Sequence, residues 1–193
     1  VIHNSPAATK HFIGSPSIIK CKDGHYLASH DYFGDNSSRK AFVYRSDDQG
    51  KTWNCISEID GLFWASLLEK EDGIYLIGVM AVGTGTYGNA VVLKSVDGGV
   101  SWTKPVDSKS GLLLSGNYHC APVPIVYHDG RIWRAMEEHA TRDGWGKFRA
   151  FMMSIDEDAD MLDASNWTFS NHLDFPSGAG VYGNAWLEGN AVV

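Results

Sequence analysis

The chain has 193 residues, 16 Lys and Arg against 23 Asp and Glu for a net charge of −7, and 44% apolar residues. That length can bury one core or two small ones. No apolar run approaches the ~18 residues of a membrane span, and an acidic balance without a Lys/Arg stripe excludes a nucleic-acid backbone as partner. Cys21, Cys55 and Cys120 are too few for a disulfide scaffold, lack metal-type spacing and leave at least one thiol unpaired within the chain.

In chain order, a β-rich run at 17–20 leads through Asp23-Gly24 into a second run at 25–29. After a polar loop come a third run at 41–45, the octapeptide Ser46-Asp47-Asp48-Gln49-Gly50-Lys51-Thr52-Trp53 and a fourth run at 53–56. Both punctuation marks return. Ser95-Val96-Asp97-Gly98-Gly99-Val100-Ser101-Trp102 follows the octapeptide by 49 residues, and Asp72-Gly73-Ile74-Tyr75-Leu76 follows Asp23-Gly24-His25-Tyr26-Leu27 by the same 49. Asp129-Gly130-Arg131-Ile132-Trp133 comes 57 residues later, and Ser154-Ile155-Asp156, reaching Trp167, reads as a third octapeptide opened by an insertion. The one helical signal is a short turn within 159–165.

Two motifs marching in step define a repeat, and four-stranded units of this length build radial β-propellers. The expected architecture is all-β: a first blade at about 12–60, a second at about 61–112, a third at about 117–175 and the start of a fourth at about 183–193. Three blades do not close a ring. The remaining blades are expected from a longer form of this chain, which opens on Val1 with no signal-like segment, or from another chain. In the octapeptide, the Asp carboxylate is suited to hold backbone N–H groups of a tight turn, Gly to supply left-handed backbone, and Trp to pack between strands. These are structural duties.

The octapeptide pattern resembles the Asp-box, or BNR repeat, of sialidase-like β-propellers, which implies a ring of six or seven blades. Sialidases open the first blade with Arg-Ile-Pro, but here Ile13-Gly14-Ser15-Pro16 puts Gly14 where that Arg would clamp a carboxylate, which disfavours an exo-sialidase. The segments Gly14-Ser15-Pro16-Ser17-Ile18, Ala28-Ser29-His30-Asp31-Tyr32-Phe33-Gly34 and Trp186-Leu187-Glu188-Gly189-Asn190 are similar to bacterial propellers classed as neuraminidases. They are similar also to propeller lyases that act on rhamnosyl-glucuronate and ulvan using His. The resemblance implies a secreted or periplasmic protein with an oligo- or polysaccharide partner and no cofactor, a structural Ca or Zn staying open.

In such blades the innermost strand begins, and the second strand ends, on the substrate face. That rule nominates His30 and His119 for proton transfer, because imidazole titrates nearest neutrality. It nominates Asp31, Trp64, Tyr87, Glu137, His139, Arg142, Arg149, Glu188 and Asn190 for substrate binding. Alternatives stand beside each. His30 either exchanges a proton or hydrogen-bonds within the channel wall, and His119 reacts or packs beside Pro122. Glu137 and Glu188 form a glycosidase carboxyl pair or neutralise Arg residues, and Trp64 stacks on a sugar or packs between blades. His139 is taken to match His30 across the repeat. The expected activity is cleavage of a glycosidic bond in a uronate-containing glycan, by hydrolysis or lysis; a binding propeller without turnover is the alternative.

Overall fold

The computed structural model describes residues 1–34, 39–83, 88–120, 123–139 and 148–173. These are nearly all β and antiparallel. Strands β1 (Phe12–Lys20), β2 (Tyr26–Phe33), β3 (Lys40–Ser46) and β4 (Asn54–Asp60) form one sheet in sequence order. Strands β5 (Leu62–Lys70), β6 (Gly73–Ala81), β7 (Gly88–Ser95) and β8 (Leu112–His119) make a second meander. A third contains β9 (Val126–His128), β10 (Arg131–His139), β11 (Phe148–Asp156) and β12 (Trp167–Phe169). The helical signal resolves to a 3₁₀ turn at Ala164–Asn166, capped by the Asp163 side chain accepting from Ser165 N. No helix among the described residues is long and apolar enough to cross a membrane.

The chain passes from the outer edge of one unit straight to the inner edge of the next. Gly61 makes the first passage, between β4 and β5, in left-handed backbone at φ 79°, donating its N–H to Arg39 O and accepting from Ala81 N at 2.8 Å. Strand β8 makes the second without a break. Leu112 and Leu114 pair with Val91 and Ala90 on β7, then Tyr118 and His119 pair with Glu138 and Glu137 on β10. The fourth strand of the second unit therefore lies beyond residue 112, whereas the first unit's follows directly on its octapeptide Trp. Thr103 N bonds Lys94 O as though a strand were starting at Trp102, but Pro105 has no N–H to continue the ladder. The chain loops through an Asp107-centred turn and rejoins where Val92 N donates to Gly111 O.

The cores lie between units. Leu27 and Val43 of the first unit pack against Leu67, Leu76 and Leu93 of the second. Tyr75, Ile77 and Val79 on the second unit's other face pack against Met136, Phe151 and Met153 of the third. A strand covered on both faces reads as a continuous apolar run, which is why 74–79 shows no polar alternation.

The first two octapeptides close their turns bond for bond. Ser46 Oγ donates to Asp48 Oδ1 and accepts from Gly50 N, each at 2.8 Å, and Asp48 accepts from Thr52 N and Thr52 Oγ1. Ser95, Asp97, Gly99 and Ser101 repeat that set, and the Trp53 and Trp102 indoles donate to Gly50 O and Gly99 O. The third octapeptide does not form. Ser154 and Asp156 instead accept from Arg131, which pairs with Asp156 across β10 and β11. Only its Trp keeps the duty, Trp167 Nε1 donating to Met161 O at 3.0 Å.

These bonds hold the carboxyls of Asp48 and Asp97 down at about 2. A folded value below the unfolded value of ~3.9 contributes stability at pH above ~4 that is lost as pH falls toward 2. Urea midpoints are therefore expected to drop between those limits, and the drop should shrink in the D48N/D97N double variant. An unchanged slope would show that the turns contribute nothing to acid sensitivity.

Candidate functional site

The inner strands of the first two units carry the same irregularity. A β-bulge separates Gly14 from Ser17 on β1 and Phe63 from Ser66 on β5, so in each two residues oppose one. Within each bulge one residue is left-handed: Ser15 at φ 48° and Trp64 at φ 53°, 49 residues apart. For an indole-bearing residue that conformation is an outlier.

Trp64 is held in it from both neighbouring units. Its N–H donates to Asp31 Oδ2 of β2 at 2.5 Å, and its carbonyl accepts from Arg134 Nη2 of β10 at 3.0 Å. The half-buried indole stands edge-on to the His119 ring, centroids 3.7 Å apart. His119 Nδ1 in turn hydrogen-bonds Glu137 Oε2 at 2.6 Å, a contact made when β8 pairs with β10. Asp31, His119 and Glu137 are buried, and Glu137 Oε1 has no hydrogen-bond partner among the described residues. Phe148 stacks on His119 at 4.8 Å and meets His139 edge-on at 5.4 Å.

Burial pushes the Asp31 carboxyl above its ordinary value, against the opposing pull of the Trp64 N–H, the Ser15 hydroxyl and the field of His119. A Cβ at position 14 would stand 3.0 Å from Asp31 Oδ1 and 2.9 Å from the Phe33 ring, so a side chain there would have to displace Phe33.

Asp31, Trp64, His119 and Glu137 are thus brought together, with His139 at the margin. His30 is not among them. Strand alternation turns it to the opposite face of β2 from Asp31. There its Nε2 meets the Tyr44 hydroxyl at 3.2 Å and its Nδ1 the Asp31 carbonyl at 3.2 Å. His3 joins the same cluster, hydrogen-bonding Tyr44 and Tyr32 with its ring 5.0 Å from His30. Burial holds the His30 pKa below the usual imidazole value. His30 is seven residues past the Asp of its turn and His139 ten past its own, so the two do not match across the repeat. Asp31 and Glu137 do match: each stands eight residues past its turn's Asp, with Met80 at that spacing in the second unit.

Arg149 is drawn off to the other face of its sheet, where it pairs with Glu138, itself 3.6 Å from His172. Tyr87, Arg142, Glu188 and Asn190, and the start of a fourth blade, lie outside the described residues. Among the described residues no group of three or more His, Cys, Asp or Glu is placed to hold a metal ion, so the Ca or Zn left open above has no ligand set there. Sequence reasoning passed over Arg134, although a guanidinium inside the apolar run 132–136 was its signal.

No family model and no curated protein sequence matches the chain. Solved structures do. The chain is similar to the α-L-arabinofuranosidase of Fusarium graminearum in complex with arabinobiose, at 16% identity and TM-score 0.58, over 94% of this chain and 54% of that one. It is similar to the α-L-arabinanase of Penicillium chrysogenum complexed with arabinobiose, at 16% identity and TM-score 0.53, over 86% and 50%. A protein of unknown function from Dyadobacter fermentans matches at 20% identity and TM-score 0.55, over 89% and 57%. The chain therefore spans about half the length of these structures. The first two are β-propeller enzymes, and at such identities the likeness shows the fold: the three meanders are consecutive parts of a β-propeller.

Proposed function

We propose that the chain is part of a carbohydrate-active propeller that cleaves a glycosidic bond at the junction of its first three units. The observation that carries this reading is Trp64, a bulky residue kept in left-handed backbone by two buried side chains, Asp31 and Arg134, and set against an imidazole–carboxylate pair. Such strain persists only where surrounding structure over-determines it, and it concentrates at functional sites. A half-buried indole is a platform for a sugar ring. Behind it, Glu137 orients His119 through Nδ1 and supports the charged imidazolium, which equips His119 to take and return a proton. Asp31, its carboxyl raised above the ordinary value by burial, faces Trp64 from the first unit and fixes its N–H.

Hydrolysis of a neutral, pentose-rich glycan is favoured over attack on a uronate. The described site holds two carboxyls, and its guanidinium, Arg134, is engaged with the Trp64 carbonyl. The solved structures with arabinobiose point the same way. The test uses the full-length protein on arabino-oligosaccharides and on uronic-acid oligosaccharides, following reducing ends in both and ultraviolet absorbance of an unsaturated product in the second. Cleavage of the first set, with Trp64→Ala weakening sugar binding by about tenfold, is expected. Unsaturated product from the second would replace hydrolysis by lysis, and sugar binding without turnover would reduce the protein to a lectin-like propeller.

A further inference from the structure

We propose that Asp31 and Arg134 act as one positioning unit, a buried carboxyl and a buried guanidinium from two different units that hold the Trp64 backbone from both sides and so set where its indole stands on His119. The inference rests on the carbohydrate reading only for what the indole then touches.

The geometry is that of a clamp. Asp31 Oδ2 accepts the N–H of Trp64, and Arg134 Nη2 donates to its C=O, on either side of the same Cα. The same Nη2 lies 3.3 Å from Ser66 Oγ, so the guanidinium grips both ends of the bulge, with Ala65 between. Ser66 Oγ passes the contact on to Val123 O at 3.3 Å. The two side chains are 3% and 1% exposed, which removes the water that would otherwise screen them.

Among the described residues Arg134 has no charged hydrogen-bond partner. It meets a carbonyl, a hydroxyl and the Met136 thioether, and its Nε has no partner among the described residues. A buried guanidinium with neutral partners is costly unless an opposite charge lies close. Arg134 is kept there by the bonds it makes to the Trp64 carbonyl and the Ser66 hydroxyl. A staple between strands alone would not need that residue to be strained. Here the bonds close on the one backbone position in β5 that a bulky L-residue resists, which makes the conformation of Trp64 the thing being held.

The first unit contains the contrast. Ser15 occupies the same place in the β1 bulge with the same hand, but a small side chain that bonds Asp31 stands there instead of an indole. The left-handed turn is thus a property of the repeat, and the two-sided clamp belongs to the position that carries Trp.

The test reads conformation apart from activity. The full-length protein is labelled with 5-fluorotryptophan, and the Trp64 resonance is assigned by its absence in Trp64→Phe. Arg134→Met and Asp31→Ala are each expected to shift that resonance, and the double variant to shift it no further than the larger single effect, as for residues acting as one unit. On a cleavable sugar each is expected to lower kcat/KM by up to about tenfold, mainly through KM, the loss expected for Trp64→Ala itself. In a Trp64→Gly background, where left-handed backbone needs no holding, Arg134→Met should no longer deepen the loss. Should the truncations fail to fold, Arg134→Lys and Asp31→Asn give the same reading with smaller shifts. A Trp64 resonance unmoved in both single variants, or two shifts that simply add, overturns the clamp. Absence of any sugar cleavage by the wild type would count against the carbohydrate reading, and the resonance test would still decide the clamp.

Discussion

Glu137→Gln is expected to lower turnover on a cleavable oligosaccharide by about 10²–10⁴-fold while leaving the fold intact. The carboxylate is buried and its Oε2 lies 2.6 Å from His119 Nδ1. Gln keeps the shape and one hydrogen bond but removes the negative charge that supports an imidazolium, so the proton His119 accepts is no longer stabilised where it forms. The loss should fall on kcat, because Glu137 stands behind His119 and Trp64 presents the surface a sugar would meet. Steady-state kinetics of the full-length protein check this. A variant with unchanged kcat and raised KM would make Glu137 a binding group.

The second large effect concerns the core between the second and third units. Phe151→Ala is expected to cost ~3–5 kcal/mol of unfolding free energy. Phe151 is 1% exposed, and its ring meets Tyr118, Phe169 and His172 with centroids 4.5–6.4 Å apart, joining inner and outer strands of one unit. The β-ladders on both sides hold those neighbours apart, so the space left by the ring would not collapse. Val96→Ala, at a position 80% exposed in the second octapeptide, should stay within ~0.5 kcal/mol. Urea unfolding of the two variants side by side tests the contrast, and similar midpoints would contradict it.

Much of this architecture is legible in the sequence because repetition makes it so. Asp-Gly turns and octapeptides mark where strands reverse, and the hydrogen bonds of Asp48 and Asp97 follow from the residue types alone. The rule that inner strands begin and second strands end on one face nominated Asp31, Trp64, His119 and Glu137 together. What it could not supply was direction. His30 and Asp31 are neighbours on β2, and only pairing register shows that Asp31 turns toward Trp64 while His30 turns toward His3 and Tyr44.

The bulges were hidden for another reason. Left-handed backbone usually announces itself through Gly, and here Ser15 and Trp64 occupy it, held by tertiary contacts no local pattern records. The false third octapeptide misled in the opposite way. Ser154 and Asp156 have the right spacing but lack the Gly that closes the turn, and Arg131 across the ladder takes both. Equal spacing from the Asp-Gly turns was the overlooked clue, since counting eight residues finds both Asp31 and Glu137.

On the proposed reading, proton transfer belongs to the site around Trp64 and not to the aromatic cluster of the first unit. Turnover of full-length His119→Ala against His30→Ala on the same oligosaccharide tests it most directly. A loss of at least about 10²-fold for His119→Ala, with His30→Ala within about threefold of wild type, is the predicted result. The reverse order, with both variants folded, would move the chemistry to His30 and contradict it.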